Sequence, residues 1–292
     1  MEKRYEREPY LSRFTAQVES CVQGKKGWDV ILNETAFYPE GGGQPWDTGT
    51  LGGVAFRSLA GRRVLLHQQG AGIVDVGGES TRPGHVQISV QEEIDRVVPV
   101  IEAIKKNFDI PVSIDSYKSP VVEAALKAGA DLVNDVWGLK YDRKVADLIA
   151  QYQVPCCLMH NREQANYTSF LDEFCQDMQT SLDIAKAAGI ADEQIILDPG
   201  VGFGKNYEHN LTIIHHLERL CDMGYPVLLA TSRKSCIGHA LDLPTDQRVE
   251  GTLVTTVMGV LKGAAFVRVH DVKENLRAIR MTQAILRDGK DG

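Results

Sequence analysis

From residue 70 onward, side chains able to bind or polarise a ligand recur at intervals. They are Asp75 followed by Glu79, Ser80, Thr81 and Arg82; Asp115; Asn134 and Asp135; His160; Asp198; Ser232, Arg233 and Lys234; and Arg268 with His270. Two chemical types are present. Asp115, Asn134 and Asp198 can accept hydrogen bonds from ring N–H and amino groups, and Asn134 can also donate, which suits the edge of a flat heterocycle. Arg82, Arg233, Lys234, Arg268 and His270 are cationic or can become so, and suit phosphate or carboxylate, arginine in bidentate fashion. One such residue alone is as readily a helix cap or a satisfied core group. A series of them points to one ligand with a heterocyclic and an anionic part. The stretch Asp198-Pro-Gly-Val-Gly-Phe-Gly-Lys205 lacks both phosphate-loop spacings, G-x-x-x-x-G-K-[ST] and G-x-G-x-x-G. Its glycines are expected to permit a tight turn that brings backbone and the Phe203 ring to the end of a sheet.

The elements that position these groups follow a βα rhythm. Short β-branched runs predict seven strands, at 72–76, 112–115, 132–135, 154–159, 195–198, 227–230 and 265–269, separated by stretches of helical periodicity. The helix expected over 90–106 carries Ile94, Val97, Val98, Ile101 and Ile104 at the spacing of a buried face, and Ser89 with Glu92 forms a capping box at its start. Every predicted strand ends in one of the polar groups above. In a parallel barrel the βα loops open onto that face, so the groups converge. The fold expected is α/β, a TIM (β/α)8-type barrel with seven recognisable βα units, its first unit absent or replaced by an N-terminal β-rich segment.

With 292 residues, 43% apolar and 24% charged, the chain can build a large core and is too hydrophobic to be disordered. Two parts are expected, 1–69 and 70–292. Residues 1–70 hold 10 of the 27 glycines and nine basic against eight acidic residues, a net +1, which leaves −8 of the total −7 for the remainder. Apolar stretches at 28–32 and 64–66, separated by glycine-rich turns, read as small antiparallel strands. The negative total gives no general attraction to nucleic acid or anionic lipid, so neither is expected as a partner. No signal-like start and no run of 18 apolar residues occur, and the six cysteines include no C-x-x-C pair; a soluble cytoplasmic protein with reduced thiols is expected.

Seven motifs in order carry a resemblance over the last three quarters of the chain. They are Ile73-Val-Asp-Val-Gly-Gly-Glu-Ser-Thr-Arg-Pro-Gly84, Val112-Ser-Ile-Asp-Ser116, Asn134-Asp135, Leu158-Met-His160, Asp198-Pro-Gly-Val-Gly-Phe-Gly-Lys205, Ser232-Arg-Lys-Ser235 and Arg268-Val-His-Asp-Val272. Together they closely resemble dihydropteroate synthase of folate biosynthesis. The resemblance implies condensation of 6-hydroxymethyl-7,8-dihydropterin diphosphate with 4-aminobenzoate, releasing diphosphate with the help of Mg2+. It also implies roles: Asp115, Asn134 and Asp198 hold the pterin edge, and Phe203 comes to the same site. Lys234 reaches pterin and aminobenzoate, and Arg268 with His270 receives the diphosphate. Thr81 and Arg82 close over the aminobenzoate, and Ser235 begins a helix that favours its carboxylate. A homodimer is implied too, for which the helix at 251–261 could serve as contact or equally as core.

The family's first strand normally ends in an Ile-Leu-Asn-Val-Thr-Pro-Asp-Ser-Phe-type motif whose asparagine serves the diphosphate and metal region. Here only Ile31-Leu-Asn-Glu-Thr35 reads like its start, so residues 30–33 are expected to fill the vacant barrel position and bring Asn33 to the metal through the diphosphate. Residues 28–51 are similar instead to the glycine-rich hairpin of alanyl-tRNA editing proteins, through Thr35-Ala-Phe-Tyr-Pro-Glu-Gly-Gly-Gly-Gln-Pro-Trp-Asp-Thr-Gly-Thr-Leu51. Editing in that family needs a zinc site from H-x-x-x-H and C-x-x-x-H elements. The chain has no H-x-x-x-H, and its one C-x-x-x-H, Cys156 to His160, falls in the synthase-like part. The N-terminal part is therefore expected to be a partial module without activity. Three readings stand: a synthase, which leads; a pterin-dependent methyltransferase module; and a catalytically impaired fusion that binds pterin only.

Overall fold

The computed structural model describes residues 70–81 and 86–287, together with the backbone of six short strands before residue 70. Asn33, Arg82 and the stretch 64–66 lie outside the described residues. The chain divides into two compact units, Met1–Gln68 and Gln69–Gly292. In the first, Val18–Gly24 pairs antiparallel with Gly27–Leu32, and Thr48–Leu51 with Val54–Arg57. The expected antiparallel strand at 28–32 is therefore present.

The second unit alternates strands and helices. Its strands are β1 (Val74–Gly77), β2 (Val112–Asp115), β3 (Leu132–Asp135), β4 (Cys156–Met159), β5 (Ile195–Asp198), β6 (Leu228–Leu229) and β7 (Phe266–Val267). Its helices are α1 (Val90–Asn107), α2 (Ser119–Lys127), α3 (Lys144–Tyr152), α4 (Phe170–Ala187), α5 (Tyr207–His215), α6 (Glu218–Cys221), α7 (Ser235–Leu241), α8 (Val249–Leu261) and α9 (Val272–Leu286). β1 to β5 form one parallel sheet in chain order. A bridge from Leu197 to Val227 continues the arc to the parallel pair β6 and β7. Consecutive parallel strands with helical crossovers are the architecture of a TIM barrel.

Several strands are shorter than the sequence predicts, for local reasons. The N–H of Val154 closes α3 onto Ile149 and Pro155 has no N–H, so β4 begins at Cys156 rather than 154. β1 starts at Val74, the first residue in register with Val112, and β6 keeps only two paired residues.

Alternation along the strands sorts the side chains. Val74, Val76, Val112, Ile114, Val133, Cys156, Leu158, Ile195 and Leu197 are buried against the helix layer. Their partners there include Val97, Ile101 and Ile104 of α1, with Ile94 and Val98 packed beside them, which is the face read from the sequence. Each such side chain contributes roughly 1.5–3 kcal/mol by leaving water. Half of the expected capping box forms: Ser89 Oγ accepts the Glu92 N–H at 3.1 Å, but the Glu92 carboxylate pairs with Arg96. The intervening strand residues, Asp75, Asp115, Asn134, Met159 and Asp198, have the opposite parity and face the barrel interior.

Candidate active site

Register brings the inward groups to one level. Asp115 lies beside Asn134 across β2 and β3, and Gly77 beside Asp115 across β1 and β2. A narrow cleft of about 20 Å³ opens over them, lined by Thr81, Asp115, Asn134, Asp198, Phe203, Lys234 and Arg268, with apolar walls from Val136, Met159, Val201 and Ala230. Seven of the residues named from the sequence thus share one hollow. Flat polar floor and apolar walls are what a small ring system needs.

The floor is charged and incompletely paired. Arg268 donates from Nε to Asp75 Oδ2 at 2.7 Å and from Nη2 to Asp115 Oδ2 at 3.0 Å, while its side chain stays half-exposed. Asp75 Oδ1 and Asp115 Oδ1 are buried with no hydrogen-bond partner. Burial, reinforced by the neighbouring Asp75 charge, pushes the Asp115 pKa up to about 7. Burial likewise raises Asp198, against the hydrogen bond its Oδ1 accepts from the Gly200 N–H at 2.7 Å. The Asp75 charge in turn holds Arg268 above the ordinary arginine range.

The glycine-rich loop after β5 makes one wall. Gly200, Gly202 and Gly204 all have φ in the left-handed region, at +64°, +89° and +54°. A Cβ on Gly200 would overlap the His160 carbonyl, and one on Gly204 would strike the Arg162 backbone, so the loop can lie flat on residues 160–162 only with glycines. It delivers Phe203, whose ring centroid is 4.4 Å from Lys234 Nζ, a cation–π contact.

The loops after β6 and β7 are fastened together. Arg233, itself at φ +56°, donates to both Asp271 oxygens, at 3.0 and 2.6 Å. Ser232 Oγ accepts the His270 N–H at 3.1 Å and lies 2.8 Å from His270 Nδ1. Arg248 donates to the carbonyls of Arg233 and Leu243, at 3.1 and 3.0 Å. Ser235 opens α7 and lines a separate shallow hollow with Gly238, His239 and Arg248, not the cleft. His270 is not among the cleft-lining residues either.

Other members of the sequence series turn away from the cleft. Asp135 caps a turn by accepting the N–H groups of Trp137 and Leu139, at 2.7 and 3.0 Å. Glu79 pairs with Lys118, and Arg233 is committed to Asp271. Both His160 nitrogens are engaged, Nε2 with Asp177 Oδ2 at 3.0 Å and Nδ1 with Lys205 Nζ at 2.8 Å, so the Cys156–His160 spacing serves packing. Sequence reasoning placed Asp75 in the ligand-binding series without a specific role, and gave Lys205 none. For Asp75 a signal existed: in Val74-Asp75-Val76-Gly77 it stands at the inward parity of a strand.

Residues 60–270 match the family model described as pterin binding enzyme. The chain belongs to that family. It is 58% identical over 219 residues to the dihydropteroate synthase of Clostridium beijerinckii, covering 75% of this chain and 81% of that one. To the Bacillus subtilis dihydropteroate synthase it is 49% identical over 232 residues, or 78% and 81% of the two chains. Among solved structures, a Clostridium difficile dihydropteroate synthase in the presence of pteroic acid superposes with TM-score 0.75 at 49% identity, covering 77% of this chain and 86% of that one. A Xanthomonas albilineans dihydropteroate synthase with 4-aminobenzoic acid gives TM-score 0.74 at 38% identity, covering 76% and 82%. The barrel with one unit short of eight recognised is thus the fold of a pterin-binding transferase family.

Proposed function

We infer that the chain condenses 6-hydroxymethyl-7,8-dihydropterin diphosphate with 4-aminobenzoate, giving 7,8-dihydropteroate and diphosphate. The observation that carries this is the buried, unpartnered Asp115 Oδ1 beside Asn134 in the cleft, with a second such oxygen, Asp75 Oδ1, on the neighbouring strand and joined to it through Arg268. Unpaired buried acceptors are costly and persist where a ligand supplies the donors. A pterin edge presents such N–H groups, and the relatives solved with pteroic acid and 4-aminobenzoic acid support the same ligands here.

The arylamine nitrogen attacks the pterin methylene, the C–O bond breaks, its electron pair leaves with the diphosphate, and the amine proton is lost to solvent. Positive charge builds on the pterin and negative charge on the leaving group. Carboxylates of Asp115 and Asp198 favour the former in a site shielded from water, and Arg268 with His270 favours the latter. Arg268 exchanges its contacts with Asp75 and Asp115 for the diphosphate, freeing both acids for the pterin. Lys234 spans pterin and aminobenzoate above Phe203. Thr81 and Arg82 cover the aminobenzoate, and Ser235 with the start of α7 meets its carboxylate.

The family resemblance implies magnesium. Among the described residues no three His, Cys, Asp or Glu side chains come together to hold a metal. The carboxylate pair at the cleft, Asp75 and Asp115, already holds a guanidinium. These residues do not fit a resident ion. Asn33, the residue the sequence offered to a diphosphate-bound magnesium, lies outside the described residues, and no step above depends on it.

The N-terminal unit is read as a partial alanyl-tRNA-editing-like module with no activity of its own. A homodimer through α8 agrees with the exposure of Val254 and Leu261 on that helix. Diphosphate release with both substrates and magnesium tests the whole reading. Turnover establishes the synthase; pterin binding without diphosphate release would select a binding-only protein instead.

A further inference from the structure

Lys205 ends the glycine-rich loop and lines no part of the cleft. An ammonium has three N–H donors, and three acceptors surround this one: His160 Nδ1 at 2.8 Å, the Phe203 carbonyl at 3.0 Å and the Gly200 carbonyl at 3.1 Å. Because Nδ1 accepts, the ring hydrogen of His160 sits on Nε2 and is donated to Asp177 Oδ2 at 3.0 Å. Arg162 donates to the same Asp177 oxygen and, at 2.9 Å, to Glu173. A continuous line of hydrogen bonds therefore runs from α4 through the fully buried His160 ring into the concave side of the loop.

The line suits a protonated lysine beside a neutral histidine. Burial, with the charges of Lys205 and Lys140 acting the same way and Asp177 opposing, pushes the His160 pKa down to about 3. Burial, opposed by Asp198 and Asp177 but reinforced by the charges of Lys140 and Lys234, holds Lys205 well below the ordinary lysine range, which leaves the ammonium dependent on its three acceptors. What the loop carries outward is the reactive side: Asp198, tied to Gly200 N–H, and Phe203, against Lys234. The two carbonyls that Lys205 gathers belong to Gly200 and Phe203, the residues that set those two positions.

We propose that Lys205 is a positioning residue for the pterin site. Its ammonium draws the Gly200 and Phe203 carbonyls together from behind, so that Phe203 meets Lys234 and Asp198 keeps its place on the cleft floor, while the His160–Asp177–Arg162 line holds the ammonium itself. The proposal rests on the reading of the cleft as a pterin site.

Lys205→Met in the full chain removes the donors at similar volume. Affinity for the pterin diphosphate, measured by calorimetry, is expected to fall by roughly tenfold or more, and its KM to rise, while the KM for 4-aminobenzoate changes less than about twofold. An equal loss for both substrates that tracks a reduced folded fraction would mean mere structural damage and would overturn the proposal. Unaltered pterin affinity in the variant would overturn it as well. A wild-type chain that fails to bind the pterin at all would sink the cleft reading and this proposal with it, a result separable from the other two. Should the methionine variant not fold, Lys205→Gln, which retains two donors, decides: a smaller loss confined to the pterin supports the proposal, and none overturns it.

Discussion

Two buried acid clusters near the start of the barrel are built in opposite ways. Glu79 accepts from the Tyr117 hydroxyl at 2.6 Å, the Ile88 N–H at 2.8 Å and Lys118 at 2.7 Å, and Glu93 takes Ser116 at 2.8 Å and Lys118 at 2.9 Å. Both Glu79 oxygens and Glu93 Oε1 accept hydrogen bonds, and Glu93 Oε2, which has none, is met by the Lys118 ammonium as an ion pair. Burial of Glu79, which alone would raise its pKa, is outweighed by Lys118, Tyr117 and Ile88, and the group stays below the ordinary range. Asp75 and Asp115 share Arg268 instead, each keeps an oxygen without a partner, and Asp115 rises to about 7. The first cluster is finished by folding. On the function proposed above, the pterin completes the second, and the fold carries its cost until then.

That contrast breaks if Asp115→Asn leaves function intact. The variant is expected to lose about 100-fold or more in turnover, since a charge-assisted hydrogen bond to the pterin and a counter-charge in the transition state both go. Its stability should move the other way. Asp115 has a folded pKa above its unfolded value of 3.8, so folding takes up a proton between about pH 4 and 7, and the stability from this group is lost as pH rises through that window. At pH 8 the asparagine variant is therefore expected to melt at or above the wild-type temperature.

The opposite result is expected in the finished cluster. Lys118→Met strands two buried glutamates and should cost about 3–5 kcal/mol, read by denaturant or thermal unfolding. Pterin affinity in the surviving folded fraction should change less than about threefold. If Lys118→Met abolished binding while leaving the melting curve untouched, the division between structural and ligand-facing acids would be wrong.

Two smaller effects sharpen it. With the Asp115 pKa near 7, the ionised acceptor falls to about a tenth at pH 6, so apparent pterin affinity should weaken by roughly tenfold between pH 8 and 6, and this dependence should vanish in Asp115→Asn. Arg233→Lys keeps the charge but loses the two-point grip on Asp271 that ties the His270 loop to the Lys234 loop. Turnover should fall several-fold to about tenfold with the fold intact, and an unchanged rate would remove Arg233 from the positioning of either loop.

Much of the site was legible before any coordinates. Strand–helix alternation gave the parallel arc, and motif order brought Thr81, Asp115, Asn134, Asp198, Phe203, Lys234 and Arg268 to one end of it. Illegible were the partnerships that separate ligand-facing groups from structural ones. Asp135 adjoins Asn134, yet strand alternation turns it outward to cap a turn. His160 reaches Asp177 on one side and Lys205 on the other, 17 and 45 residues away, so its equal standing with Asp115 in the sequence series dissolved.

By itself the sequence determined the kind of fold, the family and the inventory of charged and polar groups at the strand ends, because periodicity and motif spacing are local properties of a chain. Only the tertiary structure decided which of those groups neutralise one another and which are left waiting. Arg268 meets Asp75 across 193 residues of chain and Asp115 across 153. Which buried carboxylates share a cation depends on contacts of that range, and on the function proposed above it is Asp75 and Asp115 around Arg268, rather than Glu79 and Glu93 around Lys118, that receive the ligand.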